Sequence, residues 1–452
     1  MDLGQDQKRC VESLVWATQQ LQAKADLTQL SKIAELIIQT MTGPWRYFHT
    51  PEHIFEVGCG GDAIEVLAAL FHDLVYVQVD QGVSVNISSY ISAFVKEVDG
   101  QLVIRDQDEL PQDAMFQMVA QIFGFVPSQA LSPTAGQNEF LSAVIAVKCM
   151  ESFLAPNLLA QITACIEATI PFRAKLPSGI SVNQRLHHRL IEVSKEFNLG
   201  FTESELIEIV KRSVRLANRD VENFADTSSA HFLDNTWNLL PETNHDLANK
   251  NSYTVHGYRQ SMQKMEGFMN FLKPELVFQQ FQDEPNDSTY QGLLDRTKKN
   301  IEVAKLYLGT KLTSIAVIEA LSRRIGKDIP LSTMMGELPS LEVSAAQLEN
   351  FLPELTNVHY PDVELEKEVL NLLENGRNQH SSYDIKNSPV ATFIVKSIGF
   401  AEVRNLIQRS KEFFQGTLSA EDFLASCNPE IVQAVKNGVL ELFEIRKAAL
   451  RR

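Results

Sequence analysis

Histidine and aspartate residues at two places in the first eighty positions are well suited to metal chemistry. His49 and His53 lie four positions apart, and His72 and Asp73 are adjacent at the end of an apolar run. Adjacent side chains on a helix project about 100° apart, so His72 and Asp73 can both reach one ion beside the helix. Two polar groups at the end of an apolar helix are costly to bury unless they are paired or bound to a cation. We therefore predict that His72 and Asp73 bind one metal ion.

Two further residues complete a candidate set of ligands. His53 lies on the first turn of a predicted helix that begins with Thr50 as N-cap and Pro51 as the first helical residue. A glycine-rich turn follows this helix, so it can run antiparallel to the next one and bring His53 close to His72. Asp220 lies at the edge of the apolar face of a later helix, where a carboxylate favours a cation. Two interpretations of Asp220 stay open: a metal ligand, or an aspartate that is solvated or paired with arginine.

The pattern around these residues resembles a known family. The segment R-x-F-H-x-x-x-H-I begins at Arg46, and an apolar run leads from it into F-H-D-x-V-Y, which ends at Tyr76. Both segments are similar to motifs of the HD superfamily of metal-dependent phosphohydrolases. The similarity covers residues 45–77 well and residues 165–225 loosely. It implies an all-α, HD-type helical bundle.

The resemblance also implies roles for individual residues. It implies that one divalent ion, with Mn²⁺, Fe²⁺ and Mg²⁺ as the candidates, is held by His53, His72, Asp73 and Asp220. His49 would contact the substrate or donate a proton to the leaving group, and Asp73 would also accept a proton from the attacking water. Relatives that bind two metals carry extra histidines before the last aspartate, and residues 166–172 contain none. This difference favours a single metal.

Three cations near the ligands in sequence are candidates for binding a phosphate group. They are Arg46, Lys175 and Arg219, and the alternative for each is an ordinary surface charge. The predicted function is therefore hydrolysis of a phosphoester or phosphoanhydride bond. We expect the substrate to be a nucleotide or a similar small phosphorylated molecule.

Two other functions stay open. A regulatory or binding protein can keep such a metal site without turnover, and the last 165 or so residues carry no catalytic motif. A methyltransferase that uses S-adenosylmethionine is the second alternative, because the run E-V-G-C-G-G-D from Glu56 resembles its first glycine motif. That motif needs a strand before the glycines, whereas Thr50 and Pro51 predict a helix there, and Asp62 replaces the third glycine.

Composition limits the partners that we expect. The chain of 452 residues has a formal net charge of −16, which argues against nucleic acid or an anionic membrane as the main partner. Its five cysteines are dispersed and never form CxxC, which is typical of reduced thiols in a cytoplasmic protein. No apolar run is close in length to the about 18 residues that a membrane-spanning helix needs. The N-terminus shows no signal-peptide pattern.

Helical periodicity dominates the sequence and predicts an all-α protein. Asp62 with Glu65 and Thr202 with Glu205 have the spacing of capping boxes at helix starts. Asp99-Gly100 lies between alternating residues and predicts one small β-hairpin. We predict an HD-type domain over residues 1–285 and a helical C-terminal domain over 286–452, with residues 283–287 as the linker. Separate helices are predicted over 288–307 and 311–325, and another over 399–414.

His187 and His188 lie side by side in another predicted helix, over residues 183–198. In such a pair one histidine is commonly packed and the other exposed. The alternative is that one of them faces the site and helps to bind substrate.

Overall fold

A computed structural model describes residues 3–249, 252–338 and 346–451. Within these residues the protein is helical apart from one two-stranded sheet, so the predicted all-α class with a single hairpin is confirmed. The helices of the first half are α1 (Leu3–Gln20), α2 (Leu27–Met41), α3 (Pro51–Gly58), α4 (Ala63–Phe71), α5 (Val77–Asp80), α6 (Val85–Ile91), α7 (Ala114–Phe123), α8 (Gln137–Met150), α9 (Pro156–Ala168), α10 (Val182–Glu196) and α11 (Glu203–Asp220).

The helices continue through the second half of the chain. They are α12 (Ser229–Thr243), α13 (Val255–Phe271), α14 (Pro274–Val277), α15 (Asp287–Ser322), α16 (Leu331–Met335), α17 (Glu364–Asn375), α18 (Pro389–Gln415), α19 (Ala420–Ser426) and α20 (Pro429–Leu450). None of the helices in the described part of the chain combines the length and the apolar character that a membrane span requires.

The hairpin consists of β1 (Val95–Val98) and β2 (Gln101–Ile104), which pair antiparallel. Asp99 and Gly100 form the turn with φ angles of 51° and 77°. Two consecutive positive φ values are what a two-residue type I′ turn requires, and Asp-Gly is a favoured sequence for it. The dipeptide is therefore the local cause of the hairpin.

Side-chain caps begin the helices that carry the candidate site. The Asp62 carboxylate accepts hydrogen bonds from the backbone N–H groups of Ile64 and Glu65, while the Glu65 carboxylate accepts one from the Asp62 N–H. Thr202 and Glu205 form the same reciprocal pair at the start of α11. Both predicted capping boxes are confirmed.

One predicted break between helices is wrong. The helices predicted over 288–307 and 311–325 form one continuous helix, α15. A Cβ at Gly309 would lie 2.9 Å from Ile407, so this glycine allows close packing instead of ending the helix. The element α18 is divided by Gly399, whose φ of 73° and ψ of 163° are not helical. The part after Gly399 agrees with the helix predicted over 399–414, and a further helix from Pro389 precedes it.

The chain divides into two compact units, and it passes between them more than once. The first comprises the chain up to Glu222 together with Lys273–Asp295, and the second comprises Asn223–Leu272 together with the chain from Arg296 onward. The predicted boundary at 285/286 falls inside the second segment of the first unit. Residues 223–272, predicted to belong to the N-terminal domain, lie in the second unit.

Helix α4 lies at the centre of the first unit. Every one of its residues except Val66 is classed as buried, because it packs against α1, α3, α8, α9 and α11. Helices α3 and α11 also contact each other. The ends of α3, α4 and α11 therefore meet inside one helical core, where polar side chains lose solvent and need partners.

Candidate metal centre

Four predicted ligands come together at the ends of these three helices. His53 lies on the first turn of α3, His72 and Asp73 follow the last turn of α4, and Asp220 is the final residue of α11. One ligand atom from each side chain lies within 4.8 Å of the other three. His72 is 1% exposed and His53 is 8% exposed. This group of two imidazoles and two carboxylates can hold a metal ion.

The four ligand atoms form a ring in which histidine and aspartate alternate. His53 Nε2 lies 3.2 Å from Asp73 Oδ2 and 3.1 Å from Asp220 Oδ1. His72 Nε2 lies 3.0 Å and 3.2 Å from the same two oxygens. Two imidazole nitrogens and two carboxylate oxygens would supply ligands of the kind that Mg²⁺ and first-row transition metals accept. The residues present therefore fit one such ion.

The second ring nitrogen of His72 decides what its Nε2 can do. His72 Nδ1 lies 2.8 Å from the Ala69 carbonyl oxygen, to which it donates its proton. A neutral His72 then has a lone pair at Nε2, and that lone pair faces two carboxylate oxygens. Such an arrangement is repulsive unless a cation lies between them, either a proton on Nε2 or a metal ion.

Without a metal, the electrostatics of the cluster favour retained protons. Burial by itself would lower the pKa of His53, but hydrogen bonds with Asp220 and Asp73 raise that pKa to about 9. Burial would likewise lower the pKa of His72, but the charges of Asp73 and Asp220 raise it well above its ordinary value. Burial would raise the pKa of Asp73, whereas the charges of His72 and His49 hold it well below its usual range. The carboxylates therefore attract positive charge strongly.

His49 lies beside the ring but is not one of its four members. Its Nε2 is 4.0 Å from Asp73 Oδ2, and its side chain is 13% exposed. Its ring packs edge-on against Tyr76, with 4.6 Å between ring centroids. His49 is thus held next to Asp73, in a position to act on a molecule bound at the cluster.

Arg46 supports the backbone of the cluster, and the N–H groups of its guanidinium are engaged in hydrogen bonds within the protein. Its Nη1 donates to the Asp73 carbonyl oxygen and its Nη2 to the Leu74 carbonyl oxygen, at 2.7 and 3.0 Å. Its Nε and Nη2 also bind both carboxylate oxygens of Asp80, at 3.0 and 2.6 Å. The Arg46 side chain has no exposed surface. The prediction of a phosphate-binding Arg46 is corrected: this arginine fixes the backbone of the ligand Asp73.

The other two candidate phosphate-binding cations, Arg219 and Lys175, have different surroundings. Arg219 Nε donates to the Val57 carbonyl oxygen, and its Nη1 lies 3.4 Å from Glu65, so this arginine joins α11 to α3 and α4. Lys175 is exposed and lines a separate cavity that none of the four ring residues lines. Eight residues were assigned to the site from sequence. The structure brings five of them together: His49, His53, His72, Asp73 and Asp220.

Glu139 is a residue of this region that the sequence interpretation missed. Burial, together with the charges of Asp73 and Asp220, raises the pKa of Glu139 to about 7. Its Oε2 is buried and has no hydrogen-bond partner among the described residues. The available signal was an acidic residue on the first turn of α8, a helix whose following residues are almost all buried. Glu139 can therefore hold a proton near neutral pH beside the cluster.

The glycine motif has the helical context predicted from Thr50 and Pro51. Residues 51–58 form α3, so the strand that a methyltransferase motif needs is missing there. Gly60 has a φ of 73°, in the turn between α3 and α4. A Cβ at Gly61 would lie 2.8 Å from Arg219 Nη2. These glycines permit a tight turn under Arg219.

Comparison of the chain with protein-family models, with curated proteins and with solved structures found no match.

Proposed function

We propose that this protein is a metal-dependent hydrolase of a phosphoester or phosphoanhydride bond, with a nucleotide or similar small phosphorylated molecule as substrate. The proposal includes the HD-type assignment of the first unit, which rests on the two sequence motifs. It also takes the protein to work in the cytoplasm. Its alternative is a binding or regulatory protein that uses the same metal ion without turnover.

One observation carries the proposal: four clustered ligand atoms surround room for one ion, and a fifth side chain, His49, lies beside them without being a ligand. Two imidazoles and two carboxylates leave open positions on a six-coordinate divalent ion. A purely structural site has closed coordination and no use for an additional acid. The arrangement therefore suits chemistry on a bound molecule.

The bound metal would supply an acidified water and would neutralise charge on a phosphoryl oxygen. Asp73, a member of the ring, would accept a proton from the attacking water. His49, 4.0 Å from Asp73, can donate a proton to the leaving oxygen. Arg46 holds the Asp73 backbone in place during these transfers.

Metal content and activity of an Asp220→Asn variant test the proposal. The wild-type chain should bind about one Mn²⁺ or Fe²⁺ per molecule and hydrolyse bis(p-nitrophenyl) phosphate or members of a nucleotide panel. Asp220→Asn keeps the side-chain volume but removes a charged ligand, so both metal and activity should fall by more than about tenfold. Asp108→Asn, at an exposed position, is the matched control and should behave as wild type.

Two results would count against the hydrolase. A wild-type chain that binds no divalent metal would remove the site itself. A chain that binds one metal ion per molecule but hydrolyses none of these compounds would favour the binding or regulatory alternative.

A further inference from the structure

A second cavity of about 510 Å³ lies in the first unit, and none of the four ring residues lines it. It is formed by the loop after α9, the first two turns of α10, and the segment that contains α14 and the start of α15. Cavities of this size bind small organic molecules. Its lining is rich in polar and aromatic side chains: Arg173, Lys175, Asn183, Gln184, His187, His188, Gln279, Gln280, Phe281 and Tyr290, with Glu275 as an acidic member.

The wall beside α10 carries excess positive charge. The buried carboxylate of Glu167 binds two guanidinium groups, those of Arg173 and Arg189, each at 2.6 Å. Arg185 does not line the cavity but lies near both arginines, and its Nε is buried without a hydrogen-bond partner in the described part of the chain. Lys175 adds an exposed ammonium group at the lining. In a chain with net charge −16, this local surplus of cations favours an anionic ligand.

The lining also contains polar atoms that lack partners. His187 Nε2 is buried and has no hydrogen-bond partner among the described residues, and the same is true of Gln279 Oε1. The Gln279 side chain is fixed because its Nε2 donates to the Ala168 carbonyl oxygen at 2.9 Å. Buried polar atoms are rarely left unpaired, so these two are candidate contacts for a ligand with its own donors and acceptors.

An aromatic surface completes the cavity. The rings of His187 and Phe281 have centroids 5.8 Å apart and are tilted by 44°. His188, next in the chain, is exposed, whereas His187 is partly buried against Phe281. A planar ring can pack against His187 and Phe281 while its polar edge meets the neighbouring amides.

We propose that this cavity is a binding site for a nucleoside phosphate, distinct from the metal cluster. The cationic side formed by Arg173 and Lys175 binds the phosphate groups. His187, Gln279 and Phe281 contact the base. The proposal does not depend on hydrolysis, because none of the four ring residues lines the cavity.

Binding of ADP to the full-length chain tests this site. The titration uses an Asp73→Asn protein, which cannot consume the probe by the proposed reaction, and is repeated with wild type in excess chelator in case that variant folds poorly. Lys175→Gln removes a phosphate-binding charge, and His187→Phe keeps the aromatic ring but removes its nitrogens. We expect each to weaken ADP binding about fivefold to tenfold. Lys195→Gln, an exposed lysine at the other end of α10, is the control and should change it less than about twofold.

The ligand class is tested in parallel with inorganic pyrophosphate and with adenosine. ADP should bind more tightly than either, because only ADP offers both the anion and the planar base. Four results would overturn the proposal: no saturable ADP binding in the millimolar range, equal weakening by Lys195→Gln, pyrophosphate binding as tightly as ADP, or wild-type binding that disappears with chelator. Failure to hydrolyse any phosphoester would leave this test unaffected, so the two proposals fail separately.

Discussion

At the scale of single residues, His72 uses its two ring nitrogens for different purposes. Its Nδ1–H is taken by the Ala69 carbonyl oxygen, one turn earlier in α4, so its Nε2 faces Asp73 and Asp220. The backbone thus selects the tautomer that presents a lone pair to a cation. Arg46 does the corresponding work for Asp73 by binding the carbonyl oxygen of that residue.

Replacing Arg46 should therefore weaken metal binding even though Arg46 is not a ligand. Arg46→Lys cannot reproduce the forked contacts with Asp80, Asp73 and Leu74, so the Asp73 backbone becomes less well fixed. We expect Mn²⁺ affinity to fall about tenfold or more. Mn²⁺ titration followed by electron paramagnetic resonance measures this change. Arg9→Lys, in an exposed ion pair with Glu52, is the control, and an equal loss there would contradict the prediction.

Glu139 should make the metal-free chain less stable as pH rises. Its pKa is about 7 in the folded chain, against an ordinary value of 4.5. Between these pH values the unfolded chain has lost the proton while the folded chain keeps it, so the folded state loses stability as pH rises. Above pH 7 the full destabilisation is present. We expect the free energy of unfolding of Glu139→Gln to exceed that of wild type by about 1–3 kcal/mol at pH 8. Below about pH 4.5 the two proteins should be equally stable.

Urea denaturation of the two metal-free proteins at pH 4 and pH 8 measures the Glu139 effect. Glu208→Gln, on the exposed side of α11, is the matched control. The same stability difference at both pH values would show that Glu139 is not held protonated by burial.

At the scale of secondary-structure elements, buried ion pairs tie helices to one another. Glu167, near the end of α9, is 1% exposed and binds Arg189 of α10 as well as Arg173 in the loop after α9. Burial would raise its pKa, but the two arginines hold that pKa below its ordinary value. Its contribution to stability is therefore present at neutral pH and is lost as acid protonates it.

Glu167→Gln should strongly destabilise the first unit. The substitution leaves two arginines beside a neutral amide, and an uncompensated buried charge costs about 3–5 kcal/mol. Chemical denaturation at pH 7 measures the loss. Glu192→Gln, on the exposed side of α10, should change stability by less than about 1 kcal/mol. A comparable effect of the two substitutions would refute a structural role for Glu167.

At the scale of the whole molecule, each unit has its own buried polar centre. In the second unit, the Asp384 carboxylate accepts hydrogen bonds from Trp237, Tyr258 and Lys311 at 2.8 to 2.9 Å. Lys311 is 6% exposed. This network belongs to a unit that contains none of the four ring residues.

Lys311→Met should therefore destabilise the second unit and leave the metal site intact. It removes the cation closest to Asp384, at an expected cost of about 3 kcal/mol. Calorimetry should show a lower Tm for one transition, while Mn²⁺ stoichiometry stays at the wild-type value. Lys299→Met, an exposed lysine on the same helix, is the control. Loss of metal together with the lower Tm would contradict the separation of the two centres.

Local interactions explain how much of this protein follows from its sequence alone. The capping boxes at Asp62 and Thr202 and the turn at Asp99-Gly100 each involve residues within about four positions, so their spacing predicts them. The adjacent His72 and Asp73 likewise indicate a paired or ligated site by their types and by their position at the end of an apolar helix. The all-α class follows from the same helical periodicity.

Tertiary packing decided the rest, because it joins residues whose separation in sequence carries no signal. From the sequence alone, Arg46 is a reasonable phosphate ligand. In the fold, Asp80 and two backbone carbonyl oxygens occupy its guanidinium. In the sequence, Glu139 is an acidic residue in the first turn of a helix, which is common. Its raised pKa arises only from its burial near Asp73 in the fold. The domain boundary depends on where Lys273–Asp295 packs. The composition of this segment does not indicate that it belongs to the first unit. Solvent exclusion and charge proximity, which only the folded chain creates, set these properties.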